Sequence, residues 1–182
     1  SAGASGLDDP GDIAVAELGD TVADVRMAVI GMGKLGGREL NYASDVDVLF
    51  VHDGPTEGAQ RLARGVLDAM TEPDNGAIVF RTDADLRPEG RSGPLSRSLE
   101  SYEAWYERWA QAWEFQALLK ARPVAGDLEL GTAFFESTRR FVYPDVLDAD
   151  AIRGIRAMKA RAEEELRRKG LTDRELKRGR GG

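Results

Sequence analysis

The apolar and polar positions divide this chain into a stretch of strands followed by a long helical stretch. Arg26–Gly31 is a short apolar run (Met27, Ala28, Val29, Ile30) with the length of a core strand. Gly31–Gly37 carries four glycines and is expected to turn, leading into Arg38–Tyr42 as a helical turn or loop. Asp45–His52 alternates with a period of two. Asp45, Asp47 and Leu49 fall on one side and Val46, Val48 and Phe50 on the other, which predicts a second strand. Glu57–Met70 repeats Ala59, Leu62, Ala63, Val66, Leu67 and Met70 at helical spacing behind Thr56 as N-cap. Thr71–Gly76 reads as a turn. Ala77–Asp85 reads as a third strand, with Ile78, Phe80, Thr82 and Ala84 opposite Val79, Arg81, Asp83 and Asp85. Arg87–Pro94, rich in Pro and Gly, reads as a loop.

From Ser98 onward the pattern is helical. Ser98–Leu119 spaces Leu99, Tyr102, Tyr106, Trp109, Trp113, Gln116 and Ala117 three or four apart. Pro123 and Gly126 interrupt it. Leu128–Val142 and Asp150–Lys169 follow as two more helices, with Ser98, Asp127 and Asp148 as cap or first-turn residues. The aromatic stripe is expected to be core, the competing reading being a helix that docks a partner. Residues 1–20 carry little pattern beyond a short element near Ile13–Leu18. The expected fold class is α+β: a small mixed sheet over 26–86 followed by a helical segment over 98–169. This divides one domain into a sheet core (1–95) and a helical part (96–182). The ending Lys177–Gly182 reads as a truncated edge.

Composition narrows the function classes. The chain of 182 residues has 25 basic and 32 acidic side chains, a net charge of -7. That balance argues against a general nucleic-acid binder. There is no cysteine, so disulfides, thiolate metal sites and thiol nucleophiles are excluded, which fits a cytoplasmic protein. No apolar run approaches the roughly 18–20 residues of a membrane span. The basic residues Arg153, Arg156, Lys159, Arg161, Arg167, Arg168 and Lys169 alternate with Glu163–Glu165 and read as a solvated helix face.

The candidate chemistry lies in the strand region. Asp45 and Asp47 share one strand face next to a glycine-rich turn, a donor set suited to a divalent cation beside a phosphate. Asp83, after an apolar run, is the candidate third carboxylate. Gly31, Gly33, Gly36 and Gly37 allow close backbone approach, Ser44 offers a hydroxyl, and Lys34 offers a cation. Asp85 is expected to be a surface residue or a partner for Arg81 or Arg87. Gly31-x-Gly33-x-x-Gly36 after an apolar strand also matches a dinucleotide fingerprint. Against it, no long helix opens at the last glycine, two aspartates stand where the next strand should be apolar, and the βαβ rhythm is missing. A P-loop fails because no Ser or Thr follows Lys34. His52, the one histidine, is expected to be structural or solvent-facing.

Three ordered segments carry a family resemblance: GMGKLGGRELNYASDVDVLFVHD (31–53), FRTDADLRPEGRSGPL (80–95) and YEAWYERWAQAWEFQALLKARPVAGD (102–127). A fourth, KARAEEELRRKGLTDRELKRGRGG (159–182), is similar to the stretch leading into the family's Gly-Gly-Ile-Arg-Asp motif. They resemble the bifunctional glutamine synthetase adenylyltransferase/adenylyl-removing enzymes, whose long chains carry two nucleotidyltransferase domains of polymerase-beta-like fold. One removes AMP from a tyrosine of glutamine synthetase by phosphorolysis, releasing ADP; the other attaches AMP from ATP. Met32, Asn41, Gly93-Pro94-Leu95 and Lys177–Gly182 look more like the removing domain. The resemblance implies Asp45, Asp47 and Asp83 as catalytic residues and ligands of Mg2+ or Mn2+. It implies a phosphate-facing turn at Gly36, Gly37 and Ser44. It also implies Arg87 at substrate phosphate or buttressing its loop, and Lys120 and Arg122 facing the nucleotide or pairing with carboxylates. Asp85 departs from the family's basic residue at that place. The implied partners are glutamine synthetase, phosphate and adenine nucleotides, and a nitrogen-signalling regulatory protein. An isolated fragment that folds without turning over is the alternative.

Overall fold

A computed structural model of the chain describes residues 22–41, 44–71 and 81–144, with seven further helical positions between 153 and 168. Its elements run β1 (Arg26–Gly31), α1 (Gly33–Gly36), β2 (Val46–Asp53), α2 (Thr56–Thr71), β3 (Thr82–Asp83), β4 (Ser96–Ser98), α3 (Leu99–Arg108), α4 (Ala112–Ala117), β5 (Arg122–Gly126) and α5 (Leu128–Val142). The architecture is α+β around one mixed sheet. β2 pairs antiparallel with β1, from Arg26↔Asp53 to Gly31↔Val48. Along its other side β2 pairs in parallel with β3 near its start and with β4 near its end. β5 adds antiparallel to β1 as the far edge.

The period-two pattern of β2 sorts its side chains between two cores. Val46, Val48 and Phe50 join Met27, Val29 and the buried face of α2, Ala59, Leu62, Ala63 and Val66. Leu49 and Val51 join Ala28, Ile30, Tyr102, Tyr106, Leu130 and Phe134 beneath α3 and α5. Both faces of the sheet are therefore covered. Asp47 shares the period of Leu49 and Val51 but lies one step nearer the start of the strand, where it stays half-buried.

The helical reading from Ser98 onward is corrected in two places, and a strand that the sequence pattern did not mark stands just before it. Ser96–Ser98 is that strand, paired in parallel with β2. Arg122–Gly126 is a strand rather than a mere interruption. The helix predicted over Ser98–Leu119 is two helices: α3 stops at Arg108, and the Gln111 and Glu114 side chains form a capping box that starts α4. The aromatic stripe divides accordingly. Tyr102 and Tyr106 are buried, whereas Trp109 is 67% and Trp113 38% exposed. Ser98 and Asp127 cap α3 and α5 as expected. Thr56 is the first residue of α2. Of the third predicted strand, Thr82–Asp83 is paired, and 77–80 lie outside the described residues. So do the expected element near Ile13–Leu18, most of the turn after Thr71, Asp148 and the ending from 177. No helix among the described residues is long and apolar enough to cross a membrane.

Candidate active site

The structure brings two of the three predicted carboxylates together directly. β2 and β3 place Val46 opposite Thr82 and Asp47 opposite Asp83 in parallel register. Neighbouring strands lie about 4.8 Å apart, so both carboxylates belong to one edge of the sheet. The Val46 N–H donates to the Arg81 carbonyl at 2.8 Å, which fixes this register. Asp45 stands just before β2, next to Ser44. One oxygen of Asp83 is already oriented: its Oδ1 accepts from the Asp85 N–H at 2.7 Å.

The glycine turn packs against this pair. The Met32 N–H donates to the Asp47 carbonyl at 2.8 Å, continuing the β1–β2 ladder past Gly31. Gly33 has φ +47°, and a Cβ there would lie 3.0 Å from Asp47 Oδ2. Glycine thus serves two needs, a left-handed backbone and room for the carboxylate. At Gly36 a Cβ would lie 2.1 Å from the Lys120 carbonyl oxygen, so the turn and the residues before β5 touch backbone to backbone.

Several predicted site groups are used inside the protein. The Gly36 and Gly37 N–H groups, expected to face phosphate, instead donate to the Met32 and Gly33 carbonyls at 2.8 and 3.0 Å. Arg122 donates from Nε to the Gly36 carbonyl at 2.8 Å and from Nη2 to that of Leu35 at 3.3 Å, clamping α1. Ser44 is buried and closes a turn with Asn41: its Oγ donates to Asn41 Oδ1 at 2.8 Å. Arg87 is buried in its loop, with Nη1 donating to the Ala84 carbonyl at 2.8 Å and Nε to that of Gly93 at 3.3 Å. Asp85 pairs with Arg87 and Arg91. Lys120 differs from these. Its Nζ meets Glu39 Oε2 at 2.6 Å, and both side chains are about half exposed. Such a pair contributes little and exchanges partners readily. Glu39 was not singled out in the sequence, since nothing in the pattern places it beside a residue 81 positions away.

His52 lies toward the other end of β2. It is buried, with Nδ1 2.7 Å from Ser96 Oγ. Burial lowers its pKa, against a smaller opposing pull from Asp53. Its expected structural role stands.

Asp45, Asp47 and Asp83 are hard oxygen donors of the kind Mg2+ and Mn2+ take. Among the described residues no three acidic or imidazole side chains already converge as a metal cage. Mg2+ commonly binds through one or two carboxylates, with substrate phosphate and water completing its shell. The residues present fit that mode.

A mixed sheet with helices on both faces and paired aspartates beside a glycine turn defines the class: a nucleotidyltransferase-type α+β domain. The chain belongs to the glutamate-ammonia ligase adenylyltransferase family, whose model matches residues 14–137. It is 51% identical over 156 residues to a bifunctional glutamine synthetase adenylyltransferase/adenylyl-removing enzyme of Streptomyces avermitilis, covering 81% of this chain and 15% of that one. The proteins of the same description from Corynebacterium efficiens and Mycolicibacterium smegmatis are 44% and 46% identical. Those matches cover 90% and 87% of this chain, and 15% and 16% of theirs. The chain thus spans about a sixth of the length of these relatives.

Proposed function

We propose that this chain is a metal-dependent nucleotidyltransferase domain that removes AMP from an adenylylated tyrosine of glutamine synthetase. The observation that carries the reading is the in-register pair Asp47–Asp83, with Asp45 two residues earlier and Gly33 against Asp47. Nucleotidyl transfer asks the protein mainly for positioning and charge neutralisation, which this arrangement can supply. Inorganic phosphate attacks the AMP phosphorus; a P–O bond forms as the bond to the tyrosine oxygen breaks. ADP leaves, and the tyrosinate takes a proton from solvent. Asp45, Asp47 and Asp83 would hold Mg2+ or Mn2+, which supplies charge neutralisation at the transferring group. Lys120, in an exposed and exchangeable pair, is the cation best placed to turn to incoming phosphate. Arg87 and Arg122 act by positioning, since their donors hold backbone carbonyls.

The names of the relatives cover both removal and attachment of AMP. Removal is supported by the resemblance of Met32, Asn41 and Gly93-Pro94-Leu95 to the removing domain. A cytoplasmic setting and a nitrogen-signalling regulator belong to the same reading. The test is product analysis with the full-length enzyme carrying this chain. Adenylylated glutamine synthetase, phosphate and Mg2+ should yield ADP, and Asp45→Asn should abolish it. Pyrophosphate from ATP and unmodified glutamine synthetase, lost with the same substitution, would assign the domain to attachment. ADP release unaffected by Asp45→Asn would sink the site assignment.

A further inference from the structure

Beside the buried Tyr102 and Tyr106, α3 carries a second stripe that opens onto a groove. Arg97, Ser101, Ala104, Trp105, Arg108 and Trp109 line about 190 Å³ there. The groove is built at its inner side. Trp105 Nε1 donates to the buried Glu114 at 2.7 Å, and the Arg97 guanidinium sits 5.6 Å from the Trp105 ring centroid. Arg97 Nη1 donates to Ser101 Oγ at 3.1 Å and Nη2 pairs with Glu89. At its outer side, the Arg108 side chain makes no hydrogen bond or ion pair among the described residues, and Trp109 is 67% exposed.

We propose that this groove docks a carboxylate-bearing, partly apolar segment on the surface of the enzyme's protein substrate. The proposal rests on the function proposed above. Two features select this occupant. The residues that line the groove include two arginines and no acidic side chain, so a carboxylate on the occupant complements it. Trp and Arg are the side chains that dominate binding at protein surfaces, whereas small-molecule sites are more enclosed than this shallow groove. An enzyme acting on one side chain of a folded protein also needs contacts remote from that side chain, so that binding energy is available at the reacting centre. The groove is tied to the catalytic end through the chain: α3 continues through α4 to Lys120, whose carbonyl lies against Gly36.

The experiment compares wild type with Trp109→Ala and Arg108→Glu in the full-length enzyme on two substrates, adenylylated glutamine synthetase and free O-adenylyl-tyrosine. Either substitution should raise KM for the protein substrate by about tenfold while kcat and turnover of O-adenylyl-tyrosine are retained. Acrylamide quenching, read as the difference between wild type and Trp109→Phe, should find Trp109 accessible and then protected when adenylylated glutamine synthetase is added. An unchanged KM overturns the proposal. So does a Trp109 already shielded in the enzyme alone, because another segment of the same polypeptide then fills the groove. If wild type turns over neither substrate, the proposed reaction fails, while protection of Trp109 still reports docking on its own.

Discussion

Asp47 meets three constraints at once: the alternation of β2, the register with Asp83, and the space left by Gly33. Asp47→Asn or Asp83→Asn should therefore keep the fold while lowering activity about a hundredfold or more, since preorganised charge at a transferring group is worth that much. Unchanged circular dichroism with lost turnover is the expected result. Gly33→Ala should cost about 1–2 kcal/mol for a left-handed backbone and also crowd the carboxylate. Its activity loss should exceed its loss of stability. The aspartates were legible because period two puts them on one face whatever the fold. The role of Arg122 was not, because it depends on β5 pairing with β1 at Gly31↔Arg122. His52 gives a pH signature. Its folded pKa lies below its ordinary value, so the unfolded chain binds the proton more readily and stability falls as pH drops below about 6.5. Asp53, beside it in the chain, opposes the effect of burial without reversing it. His52→Gln should flatten the fall of the denaturation midpoint as pH drops below about 6.5.

At the scale of elements, the strands that escaped the sequence are those whose pairing is supplied from elsewhere. β4 is Ser-Arg-Ser, with no apolar pattern. Gln60 of α2 pins its entry: Oε1 accepts from the Leu95 and Ser96 N–H groups and Nε2 donates to the Ser96 carbonyl at 2.6 Å. β5 contains Pro123, which argues against a central strand, yet β5 is an edge and its register shifts beside Pro123. The break at Trp109 was hidden because the apolar spacing of α4 continues that of α3; the signal was the Gln111–Glu114 capping pair. α5, in contrast, matched its predicted bounds, since Asp127 marks its start. Asp127 accepts from Leu130 N–H at 2.9 Å and from Arg26 Nε at 2.7 Å, which hold its carboxyl below the usual range. Asp127→Ala should cost about 1 kcal/mol in chemical denaturation. Gly36→Ala should cost about 3 kcal/mol, because the added methyl meets backbone rather than a yielding side chain.

Across the whole molecule, two cores on opposite faces of one sheet hold the start of β2 in place while leaving Asp45 and Asp47 half-buried. The division of β2 between the two cores was legible in its alternation. Which helices cover which face was not, since that depends on the parallel return of β4 and the antiparallel return of β5. On the proposed function, Asp45, Asp47 and Asp83 form one cation-dependent phosphate site. A crystal soaked with Mn2+ and an adenine nucleotide tests it most directly. The expected result is anomalous density in contact with Asp47 and Asp83, a nucleotide phosphate on the same ion, and loss of that peak in Asp47→Asn. Manganese bound elsewhere, with the nucleotide distant from all three carboxylates, would contradict it.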